Sequence, residues 1–240
     1  MRRLTDARWP QVEQADRTVL VVPVGSLEQH GPHLPLDTDA FLASTIAERL
    51  AASRPSAGLA PTLPLGASGE HADFPGTLSI GTAALRELVV ELVRDASRHW
   101  CAVLVINGHG GNARGLAEAE ERCRYEGRRL AIHHLVLPEM DAHAGHAETS
   151  MMLHLDPGRV DLDAATAGPT TPVEQLMPTL VRDGVRSVSP NGVLGDPRGA
   201  SAQDGRELVE RLVTDALAAH DRCRQQALAT PTGPTKPTGP

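Results

Sequence analysis

Aromatic side chains are nearly missing from this chain: two Trp, one Tyr and two Phe make up 2% of 240 residues. A surface that stacks unpaired bases has no platform to build on, and the core falls to Ala, Leu and Val. Positive charge is also in deficit, with 23 Lys and Arg against 30 Asp and Glu and a net charge of -7, which argues against nucleic acid or an anionic membrane as partner. The three cysteines, Cys101, Cys123 and Cys223, form no CxxC pair and read as reduced structural thiols of a cytoplasmic protein. No apolar run approaches the ~18 residues of a membrane span, and the start, Met1-Arg2-Arg3-Leu4, carries charge with no apolar stretch behind it, so an unexported protein is expected. GxGxxG, Walker A and GxSxG motifs are absent, which speaks against a nucleotide cofactor.

What remains is ample for one core. At 240 residues and 40% hydrophobic content a single domain is expected. Segments 19–24, 103–106 and 130–137 are short apolar runs that read as buried strands. Between and after them, segments 40–54, 82–100, 113–125, 148–155 and 202–226 carry helical periodicity. The clearest places Leu85, Leu88, Val89, Leu92 and Val93 on one face. Strands alternating with helices predict an α/β fold with a parallel-rich sheet over residues 1–228. The end repeats Pro-Thr-Gly-Pro and is expected to be a disordered tail over 229–240.

The exit of the first strand is the richest segment: Gly25-Ser26-Leu27-Glu28-Gln29-His30-Gly31-Pro32-His33-Leu34-Pro35-Leu36-Asp37-Thr38-Asp39. In open parallel sheets, ligands collect beyond the carboxyl ends of strands. Glu28 and His30 are two apart, and so are Asp37 and Asp39, so each pair projects to one side of an extended chain. Carboxylate with imidazole suits one or two divalent ions. The alternative is that His30 and His33 serve the loop backbone while Asp37 or Asp39 caps the next helix. Two further strand exits bring similar groups: Asn107-Gly108-His109-Gly110-Gly111-Asn112, and Asp141-Ala142-His143-Ala144-Gly145-His146-Ala147-Glu148-Thr149-Ser150. A parallel sheet would gather all three on one rim. A long Gly- and Pro-rich connection over 57–81 adds Glu70, His71 and Asp73. Long connections of this kind are usually functional or disordered. His71 and His146 are expected near the pocket mouth, while Glu70 and Asp73 either position substrate or are simply solvated.

These blocks, together with Phe74-Pro75-Gly76-Thr77, occur in one order between residues 19 and 155, and in that order the chain resembles the creatininase family. The resemblance implies a single-domain three-layer α/β/α sandwich, a two-metal centre at the sheet rim, hydrolysis of amide or cyclic amide bonds, and a homo-oligomer, with a hexamer suspected. Carried onto this sequence, it implies that Glu28, Asp39 and His109 hold one divalent ion and that His30, Asp39 and Glu148 hold the second, with Asp39 shared. It further implies His143 as the proton-transfer residue and Asp37 as a capping or outer residue. His33, His71, Gly110 and Gly111 are the expected substrate-side positions. Zn²⁺, Fe²⁺ and Mn²⁺ all suit two His and three carboxylates.

One departure bears on substrate. Creatinine hydrolases of the family place Glu where this chain has Gly111 and cover their small ring with tryptophans, whereas Trp9 and Trp100 lie in other segments. Gly111 is therefore expected to leave room for a larger substrate. The stretches 66–71, 74–81 and 189–197 most resemble the peptidase branch of the family, which implies removal of a C-terminal dipeptide, Val-Tyr, from a modified ribosomal precursor peptide. The alternatives are a small-molecule amidohydrolase acting on a formamide or lactam, and a metal-stabilised scaffold without turnover.

Overall fold

The computed structural model describes residues 3–229. Its centre is a four-stranded, fully parallel sheet in the order β2-β1-β3-β4. The strands are β1 (Val19–Val24), β2 (Gly58–Leu59), β3 (Ala102–Asn107) and β4 (Leu130–His134). β1 and β3 are adjacent and buried along their whole length, which explains why they read as unbroken apolar runs rather than alternating ones.

Alternate residues of each strand enter different cores. Val19 and Val21 of β1, with Leu104 and Ile106 of β3, pack under helices α2 (Thr38–Ser53), α5 (His146–Leu155) and α8 (Ala202–Ala229). Leu20, Val22, Val103 and Val105 face the other way, under α3 (Gly81–Ala96) and α4 (Ala113–Tyr125). This is the α/β/α sandwich that the resemblance implied. Each fully buried Val or Leu contributes about 1.5–3 kcal/mol relative to its exposed state.

The strand and helix boundaries depart from the sequence expectations in explicable ways. The strand expected over 130–137 stops at His134 because the chain leaves the sheet there, and Val136 is exposed. The helix expected over 82–100 ends at Ala96, and Trp100 turns back to pack against Gly58 of the edge strand. α5 begins at His146 rather than at 148, with its first backbone N–H groups directed at the carboxylate of Asp141. A helix over Val173–Asp183 was not expected. Its apolar residues do recur at helical spacing, but Pro178 in the middle removes a backbone donor and masks the signal. Numbered in chain order this is α6, with two shorter helices at Trp9–Glu13 (α1) and Val185–Val188 (α7). α8 extends through Ala229, and the remainder of the expected tail lies outside the described residues.

Register fixes where the loops emerge. Val24 at the end of β1 lies beside Asn107 at the end of β3, and Gly108 N–H donates to the Val24 carbonyl at 2.9 Å. The 25–39 loop and the His109 loop therefore leave the same edge side by side. Gly108 has no side chain because the backbone carbonyl of Asp39, at the start of α2, occupies that space. β4 ends at the same edge and leads to the loop before α5.

Candidate metal centre and active site

Five groups converge at this rim. Asp39, in the first turn of α2, lies between two histidines: Oδ1 is 3.1 Å from His30 Nε2, and Oδ2 is 3.2 Å from His109 Nδ1. Glu28 Oε2 is 3.2 Å from His109 Nε2, and Glu148 Oε2 is 3.9 Å from His30 Nε2. Glu28, His30, Asp39 and His109 are buried, and Glu148 is partly so. Three donor clusters stand out among the described residues: Glu28 with Asp39 and His109, His30 with His143 and Glu148, and Glu28 with His71 and His143.

These groups satisfy a direct test for a cation. Both oxygens of Glu28 and Oδ2 of Asp39 are buried with no hydrogen-bond partner, an arrangement that costs several kcal/mol if nothing compensates it. Nitrogen and oxygen atoms stand about 3.2 Å apart without pointing N–H at O. Ligands ~2.0–2.2 Å from a shared ion lie at about that mutual spacing. In the protein without metal the charges compensate one another instead. Burial works against the charge on Glu28, yet the neighbouring His109 holds its carboxyl well below the usual range. Burial likewise opposes protonation of His30, but Asp39, Glu148 and Glu28 raise it to about 10. His109 is raised by Glu28 and Asp39 against the same desolvation. Burial raises Glu148 to about 7.

His143 behaves differently. Burial, then the neighbouring His30 and His71, push its pKa well below the ordinary value, so it is neutral at pH 7 rather than titrating there. Its Nε2 lies 2.7 Å from the Gln29 carbonyl and 3.1 Å from the Gln29 side-chain nitrogen, whose two protons are directed at Gly192 and His71. The carbonyl can only accept, which puts the proton on Nε2. The bare Nδ1 is left facing Glu28 Oε1 at 3.7 Å. The backbone around it is pinned: His143 and Leu194 exchange both backbone hydrogen bonds, at 2.9 and 3.2 Å. The next residue, Ala144, sits at a positive φ of 52°, a conformation that costs about 1–3 kcal/mol for a residue with a side chain. Its N–H donates to Glu148 Oε2 at 2.6 Å, and Asp141 holds the following turn.

Gln29 is the main residue that motif reading passed over, since an uncharged amide carries no ligand signal. Its Oε1 accepts from Gly31 N–H at 2.8 Å, while its Nε2 donates to the Gly192 carbonyl and to His71 Nδ1, both at 2.9 Å. That bond leaves the His71 proton on Nε2, 3.2 Å from Glu28 Oε1. One side chain therefore sets the tautomer of His71, and the carbonyl of the same residue sets that of His143. Gln29→Leu is expected to keep the fold and lower metal affinity or turnover by ~10–100-fold, the usual cost of losing an orienting partner. Metal titration and steady-state kinetics, with circular dichroism as the folding control, check this.

Other expected positions are redistributed. His33 is buried behind the rim with Nε2 at 2.8 Å from Thr149 Oγ1 and is not among the residues that line the cavity. His71 is buried within the donor set. His146 pairs with Asp204 at 3.2 Å, away from the cavity. Asp37 makes no side-chain cap and pairs with Arg159. Gly111 does not leave room for substrate: the Glu70 carboxylate, the His109 ring and the Ala67 carbonyl already fill the space a side chain would take. In front of the donors opens a cavity of about 900 Å³, floored by Asp39, His109 and Glu148, with Met177 and Val181 of α6 on its outer wall.

Fold and site together define an α/β protein that carries a donor set for divalent metal over the carboxyl edge of a parallel sheet. The profile of the creatininase family, described as creatinine amidohydrolase, matches residues 5–220, and the chain belongs to that family. It is a hydrolase of amide C–N bonds. The chain is 48% identical over 200 residues to the mycofactocin precursor peptide peptidase of Mycolicibacterium smegmatis, covering 81% of each. It is 32% identical over 237 residues to the creatinine amidohydrolase of Pseudomonas putida, covering 84% of this chain and 89% of that one. Among solved structures, a Zn-Zn creatininase variant and a Mn creatininase both superpose with a TM-score of 0.76 at 28% identity. Each alignment covers 93% of this chain, and 97% and 98% of the two structures respectively. No helix among the described residues is long and apolar enough to cross a membrane.

Proposed function

We propose that this chain is a dinuclear metallopeptidase that removes a C-terminal dipeptide, Val-Tyr, from the modified precursor peptide of mycofactocin biosynthesis. The observation that carries the reading is Asp39, whose two carboxylate oxygens lie 3.1 and 3.2 Å from histidines of two different strand-exit loops. Glu28, Asp39 and His109 hold one ion, and His30, Asp39 and Glu148 the other. Zn²⁺, Fe²⁺ and Mn²⁺ suit these donors. When bound, such a pair lowers the pKa of water and polarises the amide carbonyl.

The chain's own residues do the rest. His143 Nδ1 takes the proton of the attacking water and delivers it to the leaving nitrogen as the C–O bond forms and the C–N bond breaks. The peptide bond enters from the cavity, whose about 900 Å³ accommodates a few residues of chain. We place the enzyme in the cytoplasm as a homo-oligomer, with a hexamer as the specific expectation.

The test is incubation of metal-loaded protein with a peptide ending in Val-Tyr, followed by mass spectrometry for the free dipeptide. Release of Val-Tyr supports the peptidase. Hydrolysis of a cyclic amide or formamide without dipeptide release supports the small-molecule reading, which the relation to creatinine amidohydrolase favours. No hydrolysis of either leaves the scaffold reading.

A further inference from the structure

Among the described residues Glu70, Asp73 and Asp183 line the cavity without belonging to any of the three donor clusters, and of these Glu70 is the one that reaches a histidine of the donor set. It sits with His71 in a single turn, Gly69–His71, and the two side chains go separate ways. His71 is buried against Glu28, while Glu70 lines the cavity with its side chain 29% exposed. Its Oε1 reaches 3.3 Å from His109 Nε2, through the space left free by the missing side chain at Gly111. The cavity also contains Arg114 and Arg182, but these pair with Glu118 at 2.9 Å and with Asp183 at 2.6 Å. Among the described residues no guanidinium pairs with Glu70, whose carboxylate instead faces the imidazole of His109.

We propose that Glu70 is the binding group for the nitrogen side of the scissile amide, and that it holds the newly released ammonium of the product. Hydrolysis adds water across the C–N bond: the carbonyl carbon gains oxygen, and both protons of the water end on nitrogen. A neutral N–H thereby becomes a cationic amine beside the reacting carbon. A carboxylate beside His109, open to the cavity and with no guanidinium on it among the described residues, is complementary to that change. It accepts the amide N–H before cleavage and makes a charge-assisted bond afterwards, roughly twice as strong as a neutral one. Glycine at 111 is the requirement that lets this carboxylate come so close.

The choice of Val-Tyr as probe rests on the peptidase reading, so cleavage and binding are measured separately. Binding of Val-Tyr and of N-acetyl-Val-Tyr to metal-loaded protein at pH 7 is followed by calorimetry for wild type, Glu70→Gln and Asp73→Asn. Wild type and Asp73→Asn are expected to bind the free amine about ten-fold more tightly. Glu70→Gln is expected to lose that preference while its metal content, by elemental analysis, stays unchanged. Four results would overturn the proposal: no preference for the amine in wild type, binding of neither probe, loss of preference in Asp73→Asn as well, or loss of metal from Glu70→Gln. Wild-type protein that shows the preference but cleaves no peptide overturns the peptidase reading alone.

Discussion

Asp39→Ala is expected to remove both metal ions at once and to abolish turnover. Asp39 is the residue whose two oxygens face the two imidazoles, His30 through Oδ1 and His109 through Oδ2. Glu28 remains on one side and Glu148 on the other, but each half-site keeps only one carboxylate and one histidine. Loss of an outer orienting partner already costs ~10–100-fold, and removing a shared ligand must exceed that. Elemental analysis of the purified variant reads the result directly. One ion retained at full occupancy would mean that Asp39 serves a single site. Asp39 is buried in the first turn of α2, and an uncharged Ala there removes an unpaired buried oxygen, so thermal unfolding should show a folded chain.

His143→Ala is expected to have the opposite profile: metal retained, with turnover reduced by ~10²-fold or more, the usual contribution of general acid–base catalysis. The geometry behind this is the Nε2 contact to the Gln29 carbonyl at 2.7 Å, which leaves Nδ1 as a free base over Glu28. Because His143 also falls within a cluster with His30 and Glu148, the experiment discriminates sharply. Loss of one ion in this variant would make His143 a ligand and require another proton carrier.

Much of the rim was legible in the sequence, because parity and strand exits are local properties. Glu28 and His30 sit two apart after an unbroken apolar strand, and β1 pairs with β3 in a register that brings His109 alongside. What was not legible depends on distant packing. Gln29 gains its role only when Gly192, 163 residues further on, comes within hydrogen-bond reach. Gly111 looked like open space, yet Glu70 from a separate turn fills it. His33 lies in the right loop, but Thr149 of α5 holds it behind the rim. α6 was hidden by its own Pro178, although it forms the outer wall of the cavity.

The most direct test of the centre is anomalous X-ray scattering from crystals of the metal-loaded protein, recorded across the absorption edges of zinc, iron and manganese. Two peaks flanking the Asp39 carboxylate are expected, one toward Glu28 and His109 and the other toward His30 and Glu148. A single peak, or peaks remote from Asp39, would contradict the dinuclear centre.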